Sequence, residues 1–322
     1  MHCTLYIVHC ALRGVTVKIN DKTLSRLTLG TARYGGSIDK QASFSLIDTY
    51  RELGGNTLDT ARVYGESEST IGKYLTSRCC RNQLIIATKG AHYNTTTKEK
   101  RVSKRDIEFD IELSLKNLNT DYVDMYWLHR DDEDIPAGEI IEMTAMLIKS
   151  GKALAIGVSN WRPERIAEAN SYAQEHNLPQ FIASQIKHSA AVTVRENDST
   201  ILSLTNASRP FYKKEKMPIF AFTSQARGLF SKLETQGDNS LSEWLAREFI
   251  CEETLRRYAE IKNLASDLHR PISQVALASI ICDPELEIIP IIGGRTPDQI
   301  TDSFKALEIQ LSEEQFCKIL KG

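Results

Sequence analysis

Two ionisable side chains share one short loop: Asp59 ends a small apolar run, and Tyr64 follows five positions later in LDTARVYG, just ahead of Gly65 and a Ser-rich helical start. Lys89 closes the next apolar run, LIIATK, and His129 the one after it, VDMYWLH. Together the four suit reduction of a carbonyl. A phenol titrating near about 10 is a slow proton donor at neutral pH, and a neighbouring ammonium favours its phenolate and lowers that value. A carboxylate would hold the ammonium in place, and an imidazole would orient the substrate oxygen or relay the proton. Each residue also has a plainer reading. Asp59 and Tyr64 serve equally as a helix cap and loop filling, Lys89 as a strand end snorkelling to water, and His129, next to Arg130, as a loop hydrogen-bonder. It is the four in this order that point to chemistry.

Such a set needs strand ends that open on one face. Apolar runs at residues 26–30, 57–60, 84–89, 123–129, 153–160, 182–186, 218–223 and 287–292 read as eight strands, nearly all followed by a helical pattern. Residues 84–89 are apolar until their last two positions, as in a strand buried on both faces. Helices are expected at 44–53, closed by Gly54 and Gly55; from about Ser67; from Ser103, with Asp106 in capping-box spacing; and at about 137–149. Pro163 sits in a first turn, and further helices are expected at 252–268, 272–281, 297–307 and 312–320. Alternating buried strands and helices imply a parallel sheet, and eight units imply closure into a (β/α)8 TIM barrel, α/β in class. The rival doubly wound sheet would carry a G-x-G-x-x-G turn, which this sequence lacks.

The 322 residues fit one large barrel or two smaller domains, with 41% apolar and 25% charged residues. A net charge of −2 without a basic tract disfavours nucleic acid and anionic membrane as partners. No run approaches the roughly 20 apolar residues of a membrane span. Seven scattered cysteines without C-x-x-C spacing favour reduced thiols in a cytoplasmic setting and no metal site. Residues 1–17 read as a loosely attached leader and 18–322 as the barrel.

The segments LGTARYGG, LDTARVYG, ATKG, TDYVDMYWLHRDD, GKALAIGVSNW, ASQ, SQARGLF and IIPIIGGRTPDQI strongly resemble, in order, those of the aldo-keto reductases, from about Leu24 to Leu320. WLHRDD and SQARG look most like a bacterial branch. The resemblance implies NADP(H)-dependent reduction of an aldehyde or ketone, or the reverse, by direct hydride transfer. It makes Tyr64 the general acid, Lys89 its neighbour, Asp59 the lysine's partner and His129 the carbonyl-orienting group. It places Ser159, Asn160 and Gln185 at the nicotinamide carboxamide, and Phe222 against the ring in place of the more usual Tyr. It puts Thr223, Ser224, Gln225 and Arg227 in a loop over the pyrophosphate. Gly294 and Arg295 fall in the segment that reads the adenosine 2′-phosphate, favouring NADP over NAD, and Gln299 on the adenine side. Ser303 departs from the family's common Asn.

Two other classes fit parts of this pattern. One is an NADP(H)-binding redox-sensing or regulatory subunit of the same fold with little turnover; the other makes Lys89 the Schiff-base nucleophile of a class I aldolase. Tyr34, Tyr93 and Trp161 are aromatic candidates for the rim of the substrate pocket.

Overall fold

The computed structural model describes residues 17–196, 198–237 and 241–321, so residues 1–16 of the expected leader lie outside the description. A short antiparallel hairpin, β1 (Lys18–Ile19) and β2 (Lys22–Thr23), comes first. Then follow β3 (Thr28–Gly30), α1 (Lys40–Glu52), β4 (Thr57–Asp59), α2 (Ser67–Arg78), β5 (Ile85–Gly90), α3 (Lys104–Leu118) and β6 (Val123–Leu128). The second half holds α4 (Ala137–Lys149), β7 (Ala153–Ser159), α5 (Pro163–Glu175), β8 (Ser184–Lys187), α6 (Arg209–Glu215), β9 (Ile219–Phe222), α7 (Leu229–Gln236) and α8 (Glu243–Phe249). It closes with α9 (Glu252–Asp267), α10 (Ile272–Ile281), β10 (Ile288–Ile292), α11 (Pro297–Lys305) and α12 (Glu313–Leu320). Strands β3 to β10 pair in chain order, all parallel, and β10 returns to β3, closing the expected eight-stranded barrel.

Strand pleating sorts the core into two layers. Ile85, Ala87, Met125, Trp127, Ala155, Ala183, Phe220 and Ile289 point inward and fill the barrel, with Trp127 edge-on to Phe220 at 5.0 Å. Their neighbours, among them Ile86, Tyr126, Leu128, Ile156 and Ile219, face the helices. Gly157 shares the inward register of Ala155, and a Cβ there would stand 2.5 Å from Met125 and 2.6 Å from Trp127, so the indole fills that place instead. Continued toward the strands' C-terminal ends, the inward register falls on Asp59, Lys89, His129, Ser159, Gln185 and Phe222. The alternation that fills the barrel with apolar side chains thus delivers polar ones to its mouth.

The opposite end is sealed by the hairpin. Val17, Ile19 and Leu24 join the interior cluster, and Lys22 Nζ reaches Leu84 O at 3.0 Å and Asp124 Oδ1 at 3.1 Å, at the starts of β5 and β6. Val17, assigned by sequence to the leader, is buried there. Two-residue strands leave no periodicity to read, so residues 18–23 gave no signal in sequence. Helices α6, α7 and α8 also went unread, each being seven or eight residues long. Caps fared better: Ser103 Oγ accepts from Asp106 N, and Gly54, just past α1, takes the left-handed φ of +89° that suits glycine.

Candidate active site

The loop after β4 is anchored before it reaches Tyr64. Thr60 N and Arg62 N donate to Ala87 O and Lys89 O, and the Thr31, Thr60 and Ser67 hydroxyls are linked at 2.8–2.9 Å. A turn from Ala61 O to Tyr64 N then brings the half-buried phenol ring over the Lys89 ammonium, 4.9 Å from Nζ to ring centroid. Lys89 is 1% exposed and donates to Asp59 Oδ2 at 2.6 Å and Thr60 O at 2.7 Å. Burial pushes its ammonium toward the neutral form, but the charges of Asp59 and Tyr64 and their hydrogen bonds outweigh this and hold its pKa above the usual lysine value. Asp59's other oxygen accepts from Gln185 Nε2 at 2.9 Å.

His129 lies one residue past β6, its N–H bonded to Gly90 O at 2.8 Å, and its ring stands edge-on to Tyr64 with centroids 5.9 Å apart. Its pKa is far below the ordinary imidazole range because of burial first, then the charges of Lys89, Arg130 and His92. The ring is therefore neutral at physiological pH. Its buried Nδ1 has no hydrogen-bond partner among the described residues. The structure thus brings Asp59, Tyr64, Lys89 and His129 together at the barrel mouth.

A second histidine, missed in sequence, packs beside them. The His92 ring is 4.6 Å from that of His129 and 4.2 Å from that of Tyr93. His92 Nδ1 meets Tyr93 O at 2.8 Å, and since a carbonyl only accepts, that nitrogen carries the proton. Its place three residues beyond Lys89, in the loop after a strand, was the available signal. Of the aromatic rim candidates, Tyr93 is on the rim, its hydroxyl bonded to Asp198 at 2.7 Å. Trp161 is not: it is fully buried against Phe181 and under Arg165, because the loop after β7 turns outward toward α5. Tyr34 is likewise buried, with its hydroxyl unpartnered among the described residues.

The residues expected to hold a nicotinamide cofactor fall into three groups. Ser159, Asn160 and Gln185 form a connected patch beside Asp59: Asn160 Nδ2 donates to Ser159 Oγ, and Ser159 Oγ to Gln185 O, both at 3.0 Å. Asn160 adopts a φ of +60°, held by Leu202 N on its Oδ1 at 3.1 Å. Phe222, half-buried, shares the inward register with them.

The loop from Thr223 is tightly coiled, with positive φ at Thr223, Ala226, Arg227 and Gly228. Here Ser224 Oγ donates to Ile291 O at 2.7 Å and Gln225 Nε2 to Ser303 Oγ at 3.0 Å, so both side chains are engaged in holding the loop to β10 and α11. The Ser303 that departs from the family pattern is thus Gln225's partner. Arg227 instead meets Glu248 at 3.2 Å and lies over Trp244.

In the third group, Gly294 admits no Cβ without pressing on Gln299 and Ile300 at 3.1 Å. Gln299 Oε1 accepts from Arg295 N at 2.7 Å, and the exposed Arg295 guanidinium forms no ion pair among the described residues. An uncommitted guanidinium, an aromatic face and an amide patch next to an acid and a phenol fit a nicotinamide dinucleotide.

Comparison with known proteins identifies the family. The model of the aldo/keto reductase family matches residues 26–321. An aryl-alcohol dehydrogenase of Pestalotiopsis microspora is 29% identical over 324 residues, covering 96% of this chain and 80% of the relative. A norsolorinic acid reductase of Emericella nidulans is 29% identical over 315 residues, 92% of this chain and 77% of the relative. An aldo-keto reductase of the same fungus is 26% identical over 317 residues, with 93% and 77% covered. These relatives are fungal, where the motifs look most like a bacterial branch. The chain belongs to the aldo/keto reductase family. It is an oxidoreductase of the carbonyl–alcohol pair in small molecules, working with a nicotinamide cofactor.

Proposed function

We propose that this enzyme reduces an aldehyde or ketone with NADPH, Tyr64 supplying the proton. The observation that carries the reading is the Asp59–Lys89 pair beneath the Tyr64 ring. The cofactor, when bound, supplies the hydride. Tyr64 donates its proton to the carbonyl oxygen, and the adjacent ammonium stabilises the charge left on the phenol oxygen. Asp59 keeps the ammonium in place. Neutral His129, with a ring nitrogen available, orients the carbonyl oxygen without competing for the proton. Ser159, Asn160 and Gln185 would hold the carboxamide, Phe222 the ring face, the loop of Thr223, Ser224, Gln225 and Arg227 the pyrophosphate, and Arg295, with Gly294 and Gln299, the adenosine 2′-phosphate. NADPH oxidation followed at 340 nm with an aldehyde panel tests this; no carbonyl-dependent oxidation by the wild type would overturn it.

The geometry weighs against the two other classes. An ammonium held charged by Asp59 and the Thr60 carbonyl is a poor Schiff-base nucleophile, which must be free and neutral. A cofactor sensor with little turnover has no need of a complete proton-donating set. An aromatic carbonyl is the substrate class we favour, because His92 and Tyr93 make an aromatic shelf beside His129 and one relative is named an aryl-alcohol dehydrogenase. Benzaldehyde turned over no better than a short aliphatic aldehyde would remove that preference. Free thiols at Cys79, Cys80, Cys251, Cys282 and Cys317 support a reducing, cytoplasmic location.

A further inference from the structure

Beside the cofactor loop, four charged side chains from separate parts of the chain meet at the barrel mouth. Lys187, the last residue of β8, is 2% exposed and pairs with both Glu196 and Glu248. Glu248, on α8, is 4% exposed, and its Oε2 accepts from Arg227 Nε at 3.2 Å. Two cations face two anions, the neutrality that buried ions require.

Arg227 differs from the other three. Its side chain is 40% exposed, against 3% for Lys187, 4% for Glu248 and 20% for Glu196. Only its Nε is bonded within the described residues; the two terminal nitrogens of its fork are free for an anion, while the guanidinium rests 4.5 Å from the centre of the Trp244 ring. Its backbone is left-handed, at φ +56°, as are those of Thr223 and Ala226, a conformation that strains non-glycine residues.

We propose that Glu248 is a resting counter-ion and positioning residue for Arg227: it holds the guanidinium at the cofactor loop and gives it up to the pyrophosphate of the incoming dinucleotide. Lys187, which Glu248 shares with Glu196, gives Glu248 a lasting cationic partner, so the exchange never strands a lone buried acid. This rests on the reading of residues 223–227 as the pyrophosphate loop. Once Arg227 has moved, the remaining three groups carry one net negative charge, which favours its return and hastens cofactor release.

Opposite charge changes should therefore act in opposite directions. Glu248→Gln leaves Lys187 with Glu196 and frees Arg227, and should tighten NADP+ binding roughly threefold to tenfold. Lys187→Met leaves two acids to compete for Arg227 and should weaken binding by a similar factor. Isothermal titration calorimetry with NADP+ and with NAD+ measures both, and the shifts should be alike for the two, because both carry the pyrophosphate. In an Arg227→Ala background Glu248→Gln should do nothing further. That double-mutant comparison decides the matter even where Lys187→Met fails to fold. Glu248→Gln that weakens binding, leaves it unchanged, or acts equally without Arg227 would overturn the proposal. A wild type that binds neither dinucleotide would overturn the functional reading beneath it.

Discussion

Asp59 and Gln185, 126 positions apart in the chain, share a hydrogen bond of 2.9 Å at the barrel mouth. The carboxylate oxygen that Lys89 leaves free is taken by the amide expected to face the nicotinamide, so the proton-donating group and the cofactor patch are one network. Gln185→Leu should leave a buried carboxylate oxygen without its donor, a loss of about 1–3 kcal/mol. Both thermal stability and NADPH affinity should fall; a loss confined to one of them would separate the two roles.

Tyr64→Phe removes only the proton donor. Turnover should drop on the order of a hundredfold to ten-thousandfold while NADPH binding, followed by fluorescence titration, stays near that of the wild type. Unchanged turnover would move the proton to another group.

Lys89→Met should cost more than chemistry. It leaves Asp59 buried with only the Gln185 amide, and removing one member of a buried pair typically costs about 3–5 kcal/mol. Urea denaturation should show that loss alongside lost activity. Asp59→Asn should keep more of the stability, since the amide still offers an oxygen to Lys89, yet shift the pH profile of reduction; an unmoved profile would reduce the acid to a loop former.

Arg295→Ala should weaken NADPH by roughly tenfold to a hundredfold, the worth of charged hydrogen bonds to a phosphate, and leave NADH unaffected. Equal losses for both would place the 2′-phosphate elsewhere.

Acid should destabilise the fold before its carboxylates titrate. Burial lowers the pKa of His129 and His92, and brings His188 down to about 4. Below about pH 6.5 the unfolded chain binds protons at these positions that the native protein refuses, so the histidines' contribution to stability is fully present above that value and is lost as the pH drops from there toward 4. Urea midpoints between pH 7.5 and 5 test this, and a midpoint that does not move would mean these rings are charged in the native state.

Much of this site was legible in sequence because it obeys the pleat. Lys89 and His129 sit in register with the apolar residues that fill the barrel, so the run that identified each strand also fixed where its last polar side chain points. What was not legible came from contacts between distant segments. Nothing in the sequence near Glu248 says that it meets Lys187 and Arg227, and Trp161 looks like a rim residue until the path of its loop is known. His92 carried a positional signal, but an aromatic neighbour of His129 emerges only when β5 and β6 are side by side. Two-turn helices such as α6 and α8 are set by tertiary contacts, since they are too short for propensity to decide.

The hairpin that closes the barrel floor lies ahead of residue 26, where the match to the family begins. Its Lys22 grips the strand starts, a full strand length from the phenol and the ammonium. Such a cap is a keystone of the floor: Val17, Ile19 and Leu24 belong to the interior and Lys22 pairs with the buried Asp124, so altering it loads the robustness of the scaffold while the reacting end keeps its own contacts.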